Sequence, residues 1–316
     1  MAFSVCSPYI RYTTYDILNG MYLFTLFSIF ALGAIIGSFL NVVVLRTGTG
    51  IGFFRSSFCF VCRAGLRWYE LAPIFSFVAQ RGRCRTCRAK IHFQYPLVEA
   101  LTGFLFVFVW LREMGVTTLL DIVLRVGAYE NTLPRLALLW AIASVLLVIA
   151  AYDIRHKIIP NAFVYAFIVL AFTHAFSNLE FELWNFIGNW KWEIGNWEHL
   201  LGHLTSGLVF FILFAALWFV SRGTWMGFGD AKLAAGIGVL FGFDQGGAAI
   251  ILSFLTGALV SLALLALARF KKTFPRLTVL TMKSEIPFAP FLILGVFLVY
   301  FFNIGFLDIA EIFIIN

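Results

Sequence analysis

The chain has 316 residues, of which 61% are hydrophobic and 12% charged, with 23 Lys and Arg against 16 Asp and Glu. A water-soluble domain is expected to be roughly 45–50% apolar and about 25% charged. Together with a mean hydropathy of +0.93, this composition excludes an ordinary soluble enzyme and points to a polytopic membrane protein whose apolar surface faces lipid.

In chain order, the stretch up to Asn19 is mixed and mostly polar with no basic start, so a cleaved signal peptide is not expected. Apolar runs able to cross a bilayer need about 17–25 residues. Such runs fall at 21–45, 97–112, 133–152, 158–176, 200–221, 231–244, 246–268 and 287–304. The sixth is short and glycine-rich (Gly236, Gly238, Gly242), so its end is the least defined. The expected fold is all-α with about eight transmembrane helices. It divides into an N-terminal segment with the first helix (1–45), a small polar domain (46–96) and a second membrane domain (97–316). Trp184, Trp190, Trp192 and Trp197 crowd one connection, as an interfacial belt would.

The polar domain contains Cys59-Phe60-Val61-Cys62 and Cys84-Arg85-Thr86-Cys87, two CxxC pairs separated by 21 residues. Paired CxxC elements at such spacing suit a tetrahedral Zn2+ site with four thiolate ligands. About 50 residues cannot bury a large core, so a metal would explain how the segment folds. Redox-active or unpaired thiols are the alternative, and Cys6 stands apart. No glycine-rich phosphate or dinucleotide loop occurs in 46–96, so spacing alone indicates a structural site.

Asp153 closes the third apolar run in AAYDIRHKIIPN, and Asp230 lies between two runs in MGFGDAKL. An ionisable group at or near bilayer depth is expensive and marks function by default. Asp153 stands near Arg155, His156 and Lys157, so a plain helix-end ion pair is a fair alternative there. Beside Asp230, Gly227 and Gly229 remove side chains and make room for another backbone, such as an extended peptide. Two carboxyls meeting at one point suggest shared-proton aspartic hydrolysis.

Lys and Arg fix the orientation. If 46–96 and the connections 153–157, 222–232 and 269–285 share a side, that side carries eighteen basic residues against five opposite. The positive-inside rule then puts it in the cytoplasm, with both aspartates at cytoplasmic helix ends. The basic residues of 46–96 are suited to anionic membrane lipids, and nucleic-acid binding is not expected because topology already explains the charge.

These residues resemble the prepilin peptidases, bacterial inner-membrane aspartyl proteases. GAIIGSFLNVVVLR (33–46) is similar to that family's first span. RSSFCFVC with RGRCRTCRAKIHFQYPLVEALTG is similar to its cysteine domain and the entry into the second span. AAYDIRHKIIPN and MGFGDAKLAAGIG resemble its two aspartate motifs, and IPFAPFL (286–292) a late element. The resemblance implies cleavage of type IV prepilin or pseudopilin leaders at the cytoplasmic face. It makes Asp153 and Asp230 the catalytic pair, with Gly227, Gly229 and Lys232 supporting the loop. It further implies N-methylation of the new terminus with S-adenosylmethionine, Gly82 and Glu70 matching positions linked to that activity. Glu70-Leu71-Ala72-Pro73 stands where the family commonly has Glu-Asn-Ile-Pro, and Asn161 replaces a frequent aspartate. Competing readings are a presenilin-like intramembrane protease, which shares a GxGD aspartate, an ion- or proton-coupled transporter using both acids, and a zinc-dependent membrane scaffold.

Overall fold

The computed structural model describes residues 8–53, 55–115, 117–119, 122, 132–177, 195–269 and 287–314. Their regular structure is helical, as lipid demands, because only internally satisfied backbones or closed barrels cross a bilayer. The elements are α1 (Pro8–Arg46), a 3-10 turn (Trp68–Leu71), α2 (Phe75–Ala79), α3 (Gln94–Met114), α4 (Thr132–His156), α5 (Asn161–Ser177), α6 (Gly195–Val220), α7 (Phe228–Arg269), α8 (Ala289–Phe302) and α9 (Phe306–Ile314). Among the described residues β pairing is limited to two isolated bridges, Phe58 with Gly65 and Arg83 with Lys90. The all-α membrane fold is therefore what the chain adopts, and the eight apolar runs fall on its helices apart from a few end residues. Cys6, most of the Trp-rich connection (178–194) and most of the basic connection (270–286) lie outside the described residues.

Among the described residues, four stretches are long and apolar enough to cross a bilayer: Gly20–Arg46, Thr132–His156, Glu198–Val220 and Phe228–Ala266. Asn161–Ser177 and Ala289–Phe302 are apolar but shorter. The Phe228–Ala266 stretch is not one rod. Gly242 breaks it with φ 72° and ψ −164°, a conformation open to glycine and hostile to L side chains. A Cβ placed on Gly246 would lie 3.5 Å from the Gly238 Cα, whereas residues eight apart in a straight helix are separated by about 12 Å. The chain therefore folds back on itself, giving α7 a first limb (228–241) and a second (243–269). The sixth and seventh runs are separate limbs, as their sequence suggests, but the break lies at Gly242 rather than at residue 245. His203 of α6 secures the turn, its ring Nδ1 donating to the Val239 carbonyl at 2.8 Å, which the break deprives of its helical partner.

The chain forms two compact units, 1–144 and 145–316, divided within α4. In the first, α1 and α3 pack antiparallel at backbone distance. A Cβ on Gly33 would stand 2.9 Å from the Gly103 Cα, and one on Gly37 2.8 Å from the Glu99 Cα. One turn further, Asn41 Nδ2 donates to Tyr95 O at 3.1 Å. Such small-residue crossings let membrane helices gain van der Waals contact where lipid offers no hydrophobic driving force. The first half of α4 joins them through Trp140, whose ring stacks on Phe106 at 4.8 Å and whose Nε1 donates to Phe106 O. In the second unit α6 crosses the first limb of α7 where a Cβ on Gly238 would meet the Gly207 Cα at 2.7 Å, while α8 packs along the second limb.

At the end of α1, Arg46 is 6% exposed and holds the chain leading to the first cysteine. Its guanidinium donates to the carbonyls of Gly52, Phe53, Arg55 and Ser56 at 2.7–3.2 Å. Positive-inside counting treats this residue as one charge among eighteen, whereas a forked donor is what four converging carbonyls require. Arg46→Met, which keeps the stem and removes the fork, is expected to cost on the order of 2–3 kcal/mol. Thermal unfolding of the purified protein measures the loss, and limited trypsin digestion within 46–96 locates it.

Candidate active site and metal cluster

Asp153 and Asp230 are brought together in the second unit. Each is buried, at 4% and 6% exposure, and the two carboxylates interact electrostatically. Asp153 lies in the last turn of α4, and its carboxylate accepts the backbone N–H of Ala289, the first residue of α8. Asp230 lies in the first turn of α7. Its Oδ2 accepts the Gly227 N–H at 3.1 Å, while its own N–H donates to Gly227 O at 3.1 Å. Each acid thus has one main-chain donor, which fixes its position and leaves other lone pairs for water or substrate.

The neighbouring residues show why the loops close here. A Cβ on Gly229 would stand 2.9 Å from the Ile159 Cβ, whereas one on Gly227 would meet nothing closer than the Asp230 Oδ2 at 3.6 Å. Close approach therefore demands glycine at 229 and not at 227, and neither has a positive φ. Lys232 does not pair with either aspartate. Its Nζ donates to Asn161 Oδ1 at 2.8 Å and lies 5.3 Å and 5.2 Å from the ring centres of Tyr165 and Phe228. It ties the start of α5 to the start of α7, so Asn161 is a working partner rather than an incidental replacement. The sequence motifs do not reveal the Ala289 amide, because a main-chain donor has no residue signature.

In the first unit Cys59, Cys62, Cys84 and Cys87 converge, with all four Sγ atoms within 4.8 Å of one another and Cys59 Sγ 3.8 Å from Cys87 Sγ. Four sulfurs at about 2.3 Å from a tetrahedral ion would be about 3.8 Å apart, so the cluster fits a four-coordinate metal ion. The N–H groups of Cys87 and Thr86 hold the Cys84 thiol down at about 7. At Cys87 the Ala89 N–H favours the thiolate, but burial and the neighbouring sulfurs outweigh it and push the thiol up to about 11. Thiolates this close repel one another, so a bound cation would offset the negative charge of the cluster.

The two halves of this cluster are repeats, offset by 25 residues. Cys59-Phe60-Val61-Cys62-Arg63-Ala64 and Cys84-Arg85-Thr86-Cys87-Arg88-Ala89 share CxxCRA. Cys59 N–H donates to Ala64 O as Cys84 N–H does to Ala89 O, and Arg63 N–H to Cys59 O as Arg88 N–H does to Cys84 O. Arg63 and Arg88 both have positive φ, 58° and 59°. The repeat is visible in the sequence once the residues after each CxxC are compared.

Glu70 and Gly82 both serve this scaffold. Glu70 accepts the Arg67 N–H at 2.8 Å and pairs with Arg85 Nε at 3.5 Å, tying the 3-10 turn to the second knuckle. Gly82 has φ +65°, and a Cβ there would lie 3.0 Å from the Phe77 ring.

Residues 31–113 match the family description Bacterial Peptidase A24 N-terminal domain, and residues 140–262 match Type IV leader peptidase family. A protein named prepilin leader peptidase/N-methyltransferase from Bacillus subtilis is 31% identical over 278 residues, covering 87% of this chain and 93% of its own. One of the same name from Aeromonas hydrophila is 27% identical over 84% of this chain and 86% of its own. A third, from Myxococcus xanthus, is 42% identical over 139 residues, 44% of this chain and 36% of its own. No solved structure matches the chain. With a relative this similar along nearly its whole length, and two family descriptions matching in order, the chain belongs to the type IV leader peptidase family.

Proposed function

We propose that this protein is a membrane-embedded aspartyl endopeptidase that removes the leader of type IV prepilins or pseudopilins, with Asp153 and Asp230 as its catalytic pair. The observation that carries the reading is the meeting of two buried carboxyls, from separate helices, in a member of the leader peptidase family. Two like charges so placed cannot both ionise cheaply, so the pair shares one proton. The ionised carboxyl draws a proton from a water held between the two. The protonated one donates to the scissile carbonyl oxygen as the tetrahedral intermediate forms. Gly229 keeps the two loops in register, and Lys232 with Asn161 braces them from outside the dyad.

On this reading 1–45 and 97–316 supply the membrane helices, and 46–96 is a small domain held by Zn2+ on Cys59, Cys62, Cys84 and Cys87. The excess of basic residues supports a dyad at the cytoplasmic face of the inner membrane. The relatives' names include N-methyltransferase, so methylation of the new amino terminus, with S-adenosylmethionine as donor, is the second activity. Glu70 and Gly82 would act on it through the cysteine scaffold. A transporter or a presenilin-like protease using the same acids gains no support from the relatives.

Asp153→Asn and Asp230→Asn should each lower leader cleavage by at least about a hundredfold while leaving the protein folded, measured with purified protein and a prepilin. Undiminished cleavage by both variants would end the proposal. Gly229→Ala should cost about 1–3 kcal/mol through overpacking against Ile159 and reduce cleavage, whereas Gly227→Ala should remain near wild type in both thermal unfolding and turnover. Purified protein should contain one zinc per chain by elemental analysis. Cys84→Ser should release it and make 46–96 protease-sensitive, with leader cleavage less affected than methylation.

A further inference from the structure

One buried polar cluster remains outside the dyad and the cysteines. It lies where α1 crosses α3, one to two turns from the helix ends that carry the cysteine segment. Glu99 is 7% exposed and Asn41 1%. The Glu99 carboxylate accepts the Ile74 N–H at 2.7 Å and the Ser38 hydroxyl, and among the described residues it has no ion-pair partner. Asn41 Nδ2 donates to both Gly37 O at 3.3 Å and Tyr95 O at 3.1 Å. That fixes the amide orientation, since a flip would set its oxygen against two carbonyl oxygens. Among the described residues, Asn41 Oδ1 is left buried with no hydrogen-bond partner.

The third member is strain. Ile74 has φ 60° and ψ −51°, a γ-turn closed by Phe75 N–H to Pro73 O at 2.5 Å. This geometry is rare and costly for a β-branched residue. Its own N–H is the one that Glu99 holds. Strain of this kind persists where surrounding structure enforces it, and it gathers at functional sites. A buried carboxylate without a cation, an amide oxygen without a donor and a strained turn thus occupy one helix crossing.

We propose that Asn41 and Glu99 form a receptor for a primary ammonium group, the newly exposed amino terminus of the cleaved substrate. The unfilled valence is an acceptor, and the carboxyl on the facing helix has no ion-pair partner among the described residues, so the fitting complement is a compact cation with several donors. A water would satisfy the amide but leave the carboxylate uncompensated. Hard metal ions take six to eight oxygens, more than these side chains offer. The proposal rests on the function proposed above, because leader cleavage is what creates an amino terminus at the head of an apolar helix. An ammonium is also carried by S-adenosylmethionine, and the test separates the two.

The experiment uses the full-length protein in nanodiscs and a synthetic apolar peptide of about 20 residues, with its amino terminus free or acetylated. Wild type should bind the free form at least tenfold more tightly. Glu99→Gln, which keeps shape, and Asn41→Leu, which removes the amide, should each bring that ratio close to one while prepilin cleavage continues. A wild-type ratio near one, or variants that keep the tenfold preference, would overturn the assignment. So would equal binding of both peptides combined with weakened S-adenosylmethionine binding in the variants, since the ammonium recognised would then be the donor's. Failure of the proposed function would show separately, as wild-type protein that does not cut a prepilin.

Discussion

Two carboxyls set side by side away from bulk water repel one another and lose hydration, and the second unit is organised around offsetting both costs. Three helices begin at the pair. The start of α8 offers the Ala289 N–H to Asp153, the start of α7 offers the Gly227 N–H to Asp230, and the start of α5 is tied in through Asn161. Helix N-termini carry partial positive charge and unpaired donors, so their convergence makes a setting in which acids are tolerated without a cation. Lys232 is kept out of that setting by its hydrogen bond to Asn161 and its two aromatic neighbours. A full positive charge against the pair would favour ionising both acids and remove the shared proton that hydrolysis needs.

The same three helices are short. The first limb of α7 and α8 each have 14 residues and α5 has 17, which at 1.5 Å per residue gives lengths of about 21 Å and 25 Å. A hydrocarbon core is about 30 Å thick, so these limbs fall short of its full thickness. Either the bilayer thins around them or their ends sit below its surface. In both cases water and a peptide backbone reach the acids without crossing a full leaflet. The Gly242 turn makes this possible by ending the first limb early, with His203 satisfying a carbonyl that would otherwise be orphaned inside the protein.

Side chains that are costly in their setting are legible in the sequence, and interactions carried by the backbone are not. Asp153, Asp230 and the four cysteines were legible because each residue type is costly or unusual in its setting. The eight apolar runs were legible because lipid imposes length and composition. The Ala289 amide was not, since any residue but proline could supply it. Nor was the role of Arg46, which charge counting absorbs into topology although its four acceptors are main-chain carbonyls. The break at Gly242 was misplaced by three residues because several glycines compete in one short run, and only backbone torsion distinguishes them. Gly227 and Gly229 look equivalent in MGFGD, yet only position 229 faces another chain segment closely enough to exclude a methyl group.

The cysteine segment raises a harder question of attribution. Arg46, Glu70 and Gly82 all bear on the geometry of the knuckles, through four carbonyls, through Arg85 between Cys84 and Cys87, and through the turn entering the second CxxC. In a segment this small, loss of any one strains the metal cluster and every function that depends on it. An effect of Glu70 or Gly82 on methyl transfer is therefore what a folding defect in 46–96 would produce as well. Asn41 and Glu99 differ in kind. They lie in the helix crossing beneath that segment, which Glu99 touches through the Ile74 N–H, and the open acceptor on Asn41 points to something the protein must bind. Methyl acceptance is chemistry on an amine, and a buried carboxyl and a buried amide oxygen at one helix crossing are what an amine would complete in the first unit.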